Sequence, residues 1–557
     1  MILKNVFKRS LTIFLSISII FSSVYVGFNE LDFIELFAVK AKAADSDILS
    51  FELNDDGKSY YVYCSDRSVE GEIVIPDTYN DLPVTHIDET AFAYCMKITN
   101  VIIPESVISI GYGAFKYCHG LQTIIIPDSV VSIGDDAFWD CQYIETAVIG
   151  NSVVDIGEDA FYHCLELTSL TIGESVESIG KSAFDNCESL ETVYIPESVS
   201  TIGEHAFSDC NSLVSFDVDE SNANFSSLDG VLFNKDKTTL IKFPANKETE
   251  KYTIMDGVIN IYDYAFYECD NISYITIPNT VENIGDYAFA WCDYLYDITF
   301  GNGVKYVGDY AFSGCDMINH VRISDMTAWC EIEFISEKSN PLYYAEKFYL
   351  NGKLLEKFIV PDDVTHIGNY LFVEYYGFGK VVIPESVTTI DKRAFFGFDG
   401  TVYCTKDSTA HKYASANNIY YVLVSIFETE NTNIDYKNFL IKTSVREADD
   451  IIKILGVSES AVSILTASHV VGNHKLYGTG TIITVYDSGD CIGDYTLIVE
   501  GDLNGDSVCD VLDCAQANLI ANGHQTIEGA YAMAADSNED NAIDASDYQD
   551  IINRALR

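Results

Sequence analysis

Two segments near the carboxyl end of the chain place oxygen-bearing side chains at a spacing suited to a metal ion. Each is twelve residues long, and the second begins 34 residues after the first. Positions 1, 3, 5, 7, 9 and 12 of such a loop can surround Ca²⁺, with a carbonyl oxygen at position 7. Duplication favours two calcium ions over acidic loops that only face solvent. The predicted ligands are Asp502, Asn504, Asp506, Val508, Asp510 and Asp513, then Asp536, Asn538, Asp540, Ala542, Asp544 and Asp547.

Arrangements that would support catalysis are missing from the sequence. It contains no His-Glu-x-x-His, no Gly-x-Ser-x-Gly and no phosphate-binding glycine loop. Its 85 Asp and Glu residues are too numerous for a glycosidase pair to be singled out. We therefore predict no catalytic residues and no enzymatic activity.

A repeat of 23 residues runs through most of the chain before these loops. An Ala-Phe pair recurs at Phe92, Phe115, Phe138, Phe161, Phe184 and Phe207, and again at Phe266, Phe289 and Phe312, while Phe372 and Phe395 resume the series. Three residues after the first nine of these stand Cys95, Cys118, Cys141, Cys164, Cys187, Cys210, Cys269, Cys292 and Cys315.

Each repeat also predicts a short β-strand. Apolar residues occur nine and eleven positions after the Phe, as at Val101 and Ile103, with more polar residues between them. This two-residue alternation is typical of a strand with one buried face. One unit is too short to enclose its own apolar face, so the units must stack into a solenoid. We predict one parallel strand in each 23-residue coil, with Phe stacked on Phe and Cys on Cys.

The repeat, written Ile-Gly-x-x-Ala-Phe-x-x-Cys-x-x-Leu and Ile-x-Ile-Pro-x-Ser-Val, resembles the BspA-like leucine-rich repeats. The resemblance covers most of 44–424 and implies a leucine-rich-repeat solenoid. It also implies an extracellular surface protein that binds other macromolecules without catalysis. Longer intervals between repeats predict two inserts: a hairpin-bearing one at 217–255 and an irregular coil at 325–361. Residues 405–424 predict a short helix and a strand that cap the stack.

Fifteen cysteines in an exported protein usually indicate disulfides. Nine of them, however, occupy one repeat position beside the Phe, where Cys behaves as a small buried hydrophobe. We therefore favour a ladder of buried thiols, with disulfides as the alternative. No Cys-x-x-Cys pair supports a zinc site.

Two faces of the solenoid are candidates for ligand binding. One is the exposed face of the strands, from Asn100 and Ile102 to His320 and Arg322, which suits an extended protein partner. The other consists of aromatic residues between the Phe and the Cys, whose rings could stack on sugars. For each face the alternative is an ordinary surface position. The candidate aromatic residues, with one from the strand face, are Tyr94, Tyr117, Trp139, Tyr162, Tyr194, Tyr267 and Trp291.

Composition and charge exclude several classes of function for this 557-residue chain. Its formal net charge of −52 opposes binding to nucleic acid, which requires a basic surface. Its 48% hydrophobic residues exclude a disordered chain. Basic residues, an apolar run over 11–28 and Ala41-Lys42-Ala43 predict a signal peptide at 1–43, with an uncleaved anchor as the alternative. We expect a secreted protein that meets a membrane only through this signal.

Residues 501–557 resemble a type I dockerin, since a helix is predicted after each calcium loop. The resemblance implies calcium-dependent folding and binding to a cohesin module on a scaffold protein. By the family pattern, the cohesin contacts fall at Val511, Leu512, Asn518, Leu519, Ala545, Ser546, Ile552 and Asn553. The intervening segment, 425–500, resembles the small β-rich spacers of cellulosomal proteins.

These observations predict an exported, non-catalytic recognition or adhesion protein. Its solenoid would bind a protein ligand, and its dockerin would hold it through calcium on a cohesin-bearing scaffoldin at the cell surface. The alternative is a carbohydrate-binding component of a cellulosome. A protein inhibitor or an enzyme of unrecognised type is less favoured.

Overall fold

The computed structural model describes residues 48–423 except 56 and 376, some backbone strands between 434 and 499, and the single residues 534 and 551. Over 48–423 the chain winds in stacked coils, and successive coils contribute parallel strands to two sheets. The predicted signal peptide at 1–43, both calcium loops and all of the predicted cohesin contacts lie outside the described residues. Within 501–557 the described residues are Ala534 and Ile551, and both are helical and buried.

The first sheet contains the strands that the repeat predicts. Its strands pair in register, so that Ala147 lies between Ile124 and Leu170. Four separate segments make up this sheet. They are Glu70–Val74, Lys97–Ile102, Thr123–Ile125, Thr146–Val148 and Ser169–Thr171; Thr192–Ile195 and Ser215–Val218; Lys251–Thr253, Tyr274–Thr276, Asp297–Thr299, His320–Ile323, Lys347–Leu350 and Lys353–Leu354; and Phe358–Ile359, Lys380–Val382, Thr401–Cys404 and Tyr421–Leu423.

A second sheet shows that the prediction of one strand per coil was incomplete. Most of its strands are only two residues long. In the regular coils, each of these short strands follows the corner at which the coil leaves the first sheet. It also falls into segments. These are Leu49–Leu53, Tyr60–Cys64, Thr78–Tyr79, Leu82–Ile87, Ser109–Ile110, Ser132–Ile133, Asp155–Ile156, Ser178–Ile179 and Thr201–Ile202; Phe225–Leu228, Val231–Asn234, Thr239–Lys242, Asn260–Ile261, Asn283–Ile284, Tyr306–Val307 and Glu333–Phe334; and His366–Ile367 and Thr389–Ile390.

The stacked phenylalanines form the centre of the core, as predicted. Neighbouring rings are nearly parallel, with centroids 4.8 Å apart at Phe138–Phe161 and 5.2 Å apart at Phe289–Phe312. The spacing matches the separation of hydrogen-bonded strands, about 4.8 Å. Each ring is therefore held by the backbone register. The repeat Phe residues are almost fully buried both in the coils before the first insert, the first run, and in the coils after it, the second run.

The repeat cysteines are free and buried, in agreement with the thiol ladder. From Cys118 onward, each repeat thiol donates a hydrogen bond to the carbonyl of the Phe in the preceding coil: the Sγ of Cys118 lies 3.1 Å from the oxygen of Phe92, and that of Cys292 lies 2.9 Å from the oxygen of Phe266. Burial raises the pKa of Cys118, Cys187 and Cys292 well above its usual range. These thiols therefore satisfy carbonyls that lie inside the stack.

The first predicted insert lies at a break in both sheets, whereas the second continues both sheets before they break: Glu333–Phe334 pairs in parallel with Tyr306–Val307, and Lys347–Leu350 with His320–Ile323. The first contains the predicted hairpin, in which Phe225–Leu228 pairs antiparallel with Val231–Asn234. The second contains helix α1 (Met326–Cys330), capped by the side chain of Asp325, and the 3₁₀ turns Glu337–Ser339 and Pro341–Tyr343. The buried core divides into two clusters, over residues 49–232 and 231–414, which meet at the first insert.

The solenoid is closed at its carboxyl end as predicted. Helix α2 (Thr409–Ala416) begins after Ser408, whose side chain accepts a hydrogen bond from the backbone N–H of His411. The strand Tyr421–Leu423 then pairs with Thr401–Cys404. Within the predicted spacer, 425–500, the described strands are Ile434–Asp435, Leu440–Thr443, Val462–Ile464, Ser468–Val471, His474–Tyr477, Ile482–Asp487 and Asp490–Val499.

Candidate ligand-binding surfaces

One of the two outward positions on each strand of the first sheet is aliphatic in the first regular coils, and the other is polar. Ile102 and Ile125 are 44% and 59% exposed, and Ile125 pairs with Val148 in the next coil. The residue six positions further along each coil, beyond the corner, is also an exposed or half-exposed aliphatic. We call these six residues the aliphatic rows: Ile102, Ile125 and Val148 on one side of the corner, and Ile108, Val131 and Val154 on the other.

The same positions become polar and then charged further along the solenoid. Thr171 follows Val148 in register. In the second run, Arg322 donates from Nε to both oxygens of Asp297, at 2.9 Å each, and its guanidinium lies 4.4 Å from the ring centroid of Tyr349. Asp297 lies on the strand face that the sequence predicts to be exposed, but it is buried, because Arg322 and His320 cover it. The charges at this end therefore pair with each other.

The predicted aromatic face is an edge of the solenoid where the chain reverses direction. The second residue after each repeat Phe adopts a left-handed backbone, with φ of 65° at Tyr94, 61° at Tyr117 and 58° at Trp291. Such a conformation costs a residue other than Gly on the order of 1 kcal/mol or more. The backbone N–H of Tyr94 offsets this by donating to the oxygen of Lys116 in the next coil, at 2.7 Å.

Four of the predicted aromatic residues contact one another on successive coils. Tyr94 and Tyr117 are stacked with centroids 4.7 Å apart, Tyr117 meets Trp139 edge-on at 4.7 Å, and Trp139 stacks on Tyr162 at 5.6 Å. The Nζ of Lys116 lies 4.3 Å from the Trp139 centroid. These contacts leave Tyr117, Trp139 and Tyr162 only partly exposed, whereas Tyr94 at the end of the run is 53% exposed.

The other three predicted aromatic residues lie apart from this edge run. Tyr194 is on the first sheet, and its hydroxyl donates to Oδ2 of Asp219 at 2.8 Å. Tyr267 packs beside Tyr264, with centroids 5.3 Å apart, and burial raises its pKa. Trp291 is 51% exposed and lies directly against Gly314, where an added Cβ would be 2.6 Å from its ring. The structure therefore does not join all seven residues into one site.

Two histidines and an aspartate on the same edge form a cluster that the sequence did not reveal. The buried carboxylate of Asp140 contacts Nε2 of His119 at 2.9 Å and Nδ1 of His163. Although burial opposes it, these contacts and the hydrogen bond from Gln142 lower the pKa of Asp140. The two histidines occupy different offsets in their repeats, so only the three-dimensional stack brings them together.

Neither a metal site nor a membrane span is found in the described part of the chain. No group of three or more His, Cys, Asp or Glu residues there has the geometry to hold a metal ion. Among the same residues, no helix combines the length and apolar character needed to cross a bilayer.

Comparison with known proteins identifies the repeat. The BspA type leucine-rich repeat region matches residues 85–214, 220–339, 259–401 and 342–444, which together exceed half of the chain. No curated protein sequence matches.

Solved structures match this chain at low sequence identity. The pneumococcal vaccine antigen PcpA is 22% identical over 67% of this chain and 98% of its own, with a TM-score of 0.50. A leucine-rich cell surface protein from Faecalibacterium prausnitzii is 23% identical over 66% and 95%, with a TM-score of 0.46. A leucine-rich repeat protein from Bacteroides ovatus is 21% identical over 68% and 98%, with a TM-score of 0.48. This chain belongs to the BspA type leucine-rich repeat family.

Proposed function

We propose that this protein is an exported, non-catalytic recognition protein whose first regular coils bind a protein partner through the aliphatic rows. Its carboxyl-terminal segment, 501–557, holds it on a cohesin-bearing scaffold through two calcium ions. Recognition and attachment are then separate tasks of separate segments.

The observation that supports the recognition surface is the exposure of aliphatic side chains in a chain of net charge −52. Solvent-facing apolar patches of this kind mark contact surfaces in soluble proteins. Later coils carry Thr or charged residues at the same positions, so the fold itself does not require Ile or Val there. A protein partner with an apolar stripe would remove these side chains from water.

A threonine substitution tests this surface with little risk to the fold, because later coils already contain Thr at the equivalent position, as at Thr171. We would immobilise the full secreted chain in calcium and identify proteins retained from its natural surroundings. The triple variant Ile102→Thr, Ile125→Thr, Val148→Thr should bind the retained partner at least about tenfold more weakly. The matched control is Tyr294→Ala, which removes an exposed aromatic residue elsewhere. If the triple variant and the native chain retained the partner equally, the aliphatic rows would not be its binding surface.

The attachment half of the proposal has its own measurement. Calcium loops of this kind fold when the ion binds, so removing calcium with EDTA should abolish capture by an immobilised cohesin and lower the helical circular dichroism. Asp502→Ala together with Asp536→Ala should do the same in calcium. Undiminished capture in EDTA would contradict the calcium assignment without bearing on the aliphatic rows.

A second candidate function, polysaccharide binding, rests on Trp291. Its ring lies against Gly314 on one side and is half exposed, whereas Tyr117, Trp139 and Tyr162 of the aromatic edge are only partly exposed beside their neighbours. Pull-down on insoluble plant polysaccharides with Trp291→Ala and Trp139→Ala separates the two locations. Loss of polysaccharide binding with Trp291→Ala alone would support a sugar contact at Trp291. Undiminished binding by both variants would exclude Trp291 and Trp139 as sugar contacts.

A further inference from the structure

A shallow groove of about 570 Å³ lies on the outer face of the second sheet, in the second run of coils. One wall is a row of polar residues in register across four strands, in which Asn260 pairs with Thr239 and Asn283 pairs with Tyr306. This is a different face, and a different part of the stack, from the aliphatic rows. The groove is lined by Thr239, Asn260, Ile261, Tyr262, Asp263, Asn283, Ile284, Gly285 and Tyr306.

The asparagines of this wall are fixed by each other. Nδ2 of Asn260 donates to the hydroxyl of Thr239 at 3.4 Å, and Nδ2 of Asn283 donates to Oδ1 of Asn260 at 2.8 Å. Asn283 is exposed, and no bond within the described chain occupies its Oδ1. One oriented acceptor and one further amide hydrogen are therefore available to a ligand.

Tyr262 closes one end of the groove by a departure from the repeat. Most regular coils carry Gly at this position, where a Cβ would lie 2.8 Å from the preceding backbone at Gly134 and 2.5 Å at Gly157. Tyr262 follows the first insert, and its N–H donates to the oxygen of Leu240 in that insert. The insert takes the place of a regular coil here and leaves room for the Tyr262 ring. The next coil returns to Gly285, so bare backbone lies beside a phenol that is 41% exposed.

The chemistry of the lining selects among ligand classes. No Lys or Arg lines the groove, so it does not suit a phosphate or another anion. Its single carboxylate, Asp263, already accepts the N–H of Asp286 at 2.7 Å, which leaves no acidic cluster for a cation. What remains is a pair of amides that donate and accept, two tyrosines and a flat floor. These groups match the vicinal hydroxyls and the apolar ring face of a neutral sugar.

We propose that this groove binds one pyranose unit of a neutral glycan, with Tyr262 against the ring and Asn283 bonded to its hydroxyls. The site goes beyond the proposed protein-binding role and does not depend on it. It also differs from Trp291, which belongs to the solenoid edge.

The repeat itself supplies conservative variants for the test. Tyr262→Gly installs the residue that other coils carry, and Asn283→Ser installs the residue found at Ser132 and Ser178 in the same row of the first run. Binding of cellobiose, xylobiose, mannobiose and lactose to the full secreted chain would be measured by saturation-transfer NMR and calorimetry in calcium. Tyr294→Ala serves as the control for loss of an exposed tyrosine.

We expect at least one disaccharide to bind with a millimolar dissociation constant, and each groove variant to weaken it by about tenfold. The Tyr294→Ala chain should bind like the native one. Absence of binding by all four disaccharides, or equal binding by the native chain and both groove variants, would overturn the proposal. The aliphatic triple variant should leave sugar binding unchanged, which separates this site from the proposed protein contact.

Discussion

The two runs of coils have the same core and different surfaces. In the first run Phe138 and Phe161 are stacked at 4.8 Å, and in the second Phe266 and Phe289 are stacked at the same distance. Outward positions differ: the first run exposes Ile125, whereas the equivalent position of the second run carries Thr276. The period therefore constrains what lies inside each coil and leaves the outside free for a different contact in each run.

The two inserts differ in how they rejoin the stack. At the first insert, the hairpin forms backbone hydrogen bonds with the coil before it, since the N–H of Phe216 donates to the oxygen of Gly230 at 2.8 Å. At the second, within the described chain, no backbone hydrogen bond connects 331–335 with 364–368, and a cleft of about 510 Å³ remains. Both inserts are anchored by a fully buried asparagine: Asn222 donates to the oxygens of Pro196 and Val199, and Asn340 to those of Tyr370 and Leu371.

The largest effect on stability should come from removing a central side chain from one of the two buried clusters while the other is left unchanged. Phe161→Ala removes a ring stacked on both sides, and Phe289→Ala does the same in the second cluster. Each should lower the free energy of unfolding by about 4 kcal/mol. Because the buried clusters meet only at the first insert, hydrogen exchange should accelerate mainly within 49–232 for Phe161→Ala and within 231–414 for Phe289→Ala. Equal acceleration along the whole solenoid would show that the two cores unfold as one.

The asparagine anchors provide the next test, at the joins between coils. Asn222→Ala and Asn340→Ala each remove a buried amide and take the donor from one buried carbonyl oxygen, that of Val199 or Leu371, so each should cost about 2–3 kcal/mol by urea denaturation. Asn340→Ala should also open the second join to proteolysis, because no backbone bonds support it there. Asn302→Ala, which removes an exposed side chain, is the control. Equal protease sensitivity of Asn222→Ala and Asn340→Ala would contradict the difference between the joins.

The sequence predicted the stack because the inward residues repeat. Phe and Cys columns, the first strand of each coil, the hairpin in the first insert and the terminal helix all follow from residues at fixed offsets. The second strand was missed because a two-residue strand such as Ser132–Ile133 is too short to show alternation.

Outward contacts could not be derived from the period. Tyr117 and Trp139 stand at different offsets from their Phe, yet their rings touch because the left-handed turn brings both offsets to one edge. The same holds for His119 and His163 around Asp140. Tyr262 joins the groove only because the preceding insert removes the crowding that requires Gly elsewhere. The calcium ligands and cohesin contacts stay predictions from sequence.

The pH dependence of stability should differ between two aspartates of the first run. Burial, with the nearby charge of Asp209, raises the pKa of Asp185 to about 7. A carboxyl whose pKa is raised on folding stabilises the protein when protonated, so its contribution is present below about pH 4 and is lost as pH rises to 7. Asp185→Asn should therefore leave stability at pH 4 unchanged and increase it at pH 8 by about 1–2 kcal/mol.

Asp140 should show the opposite pH dependence to Asp185. Its pKa is lowered, so its contribution is present above its unfolded pKa and is lost as pH falls through the folded value. Asp140→Asn should therefore destabilise the protein at pH 8, as measured by thermal unfolding. A destabilised Asp185→Asn variant at pH 8 would show that the Asp185 charge is compensated by Lys242 or by solvent.

Substitution within the aliphatic rows should have the smallest effect on stability, and a small effect would support their role as a contact surface. Ile125→Thr exchanges an exposed β-branched residue for another that the same fold accepts at Thr171 and Thr276. The free energy of unfolding should change by no more than about 0.5 kcal/mol, as for surface substitutions that break no special contact. Ile124→Thr, one residue earlier and fully buried, should cost about 2 kcal/mol or more. If Ile125→Thr destabilised the chain as much as Ile124→Thr, the outward isoleucine would belong to the core, and its exposure would no longer indicate a partner.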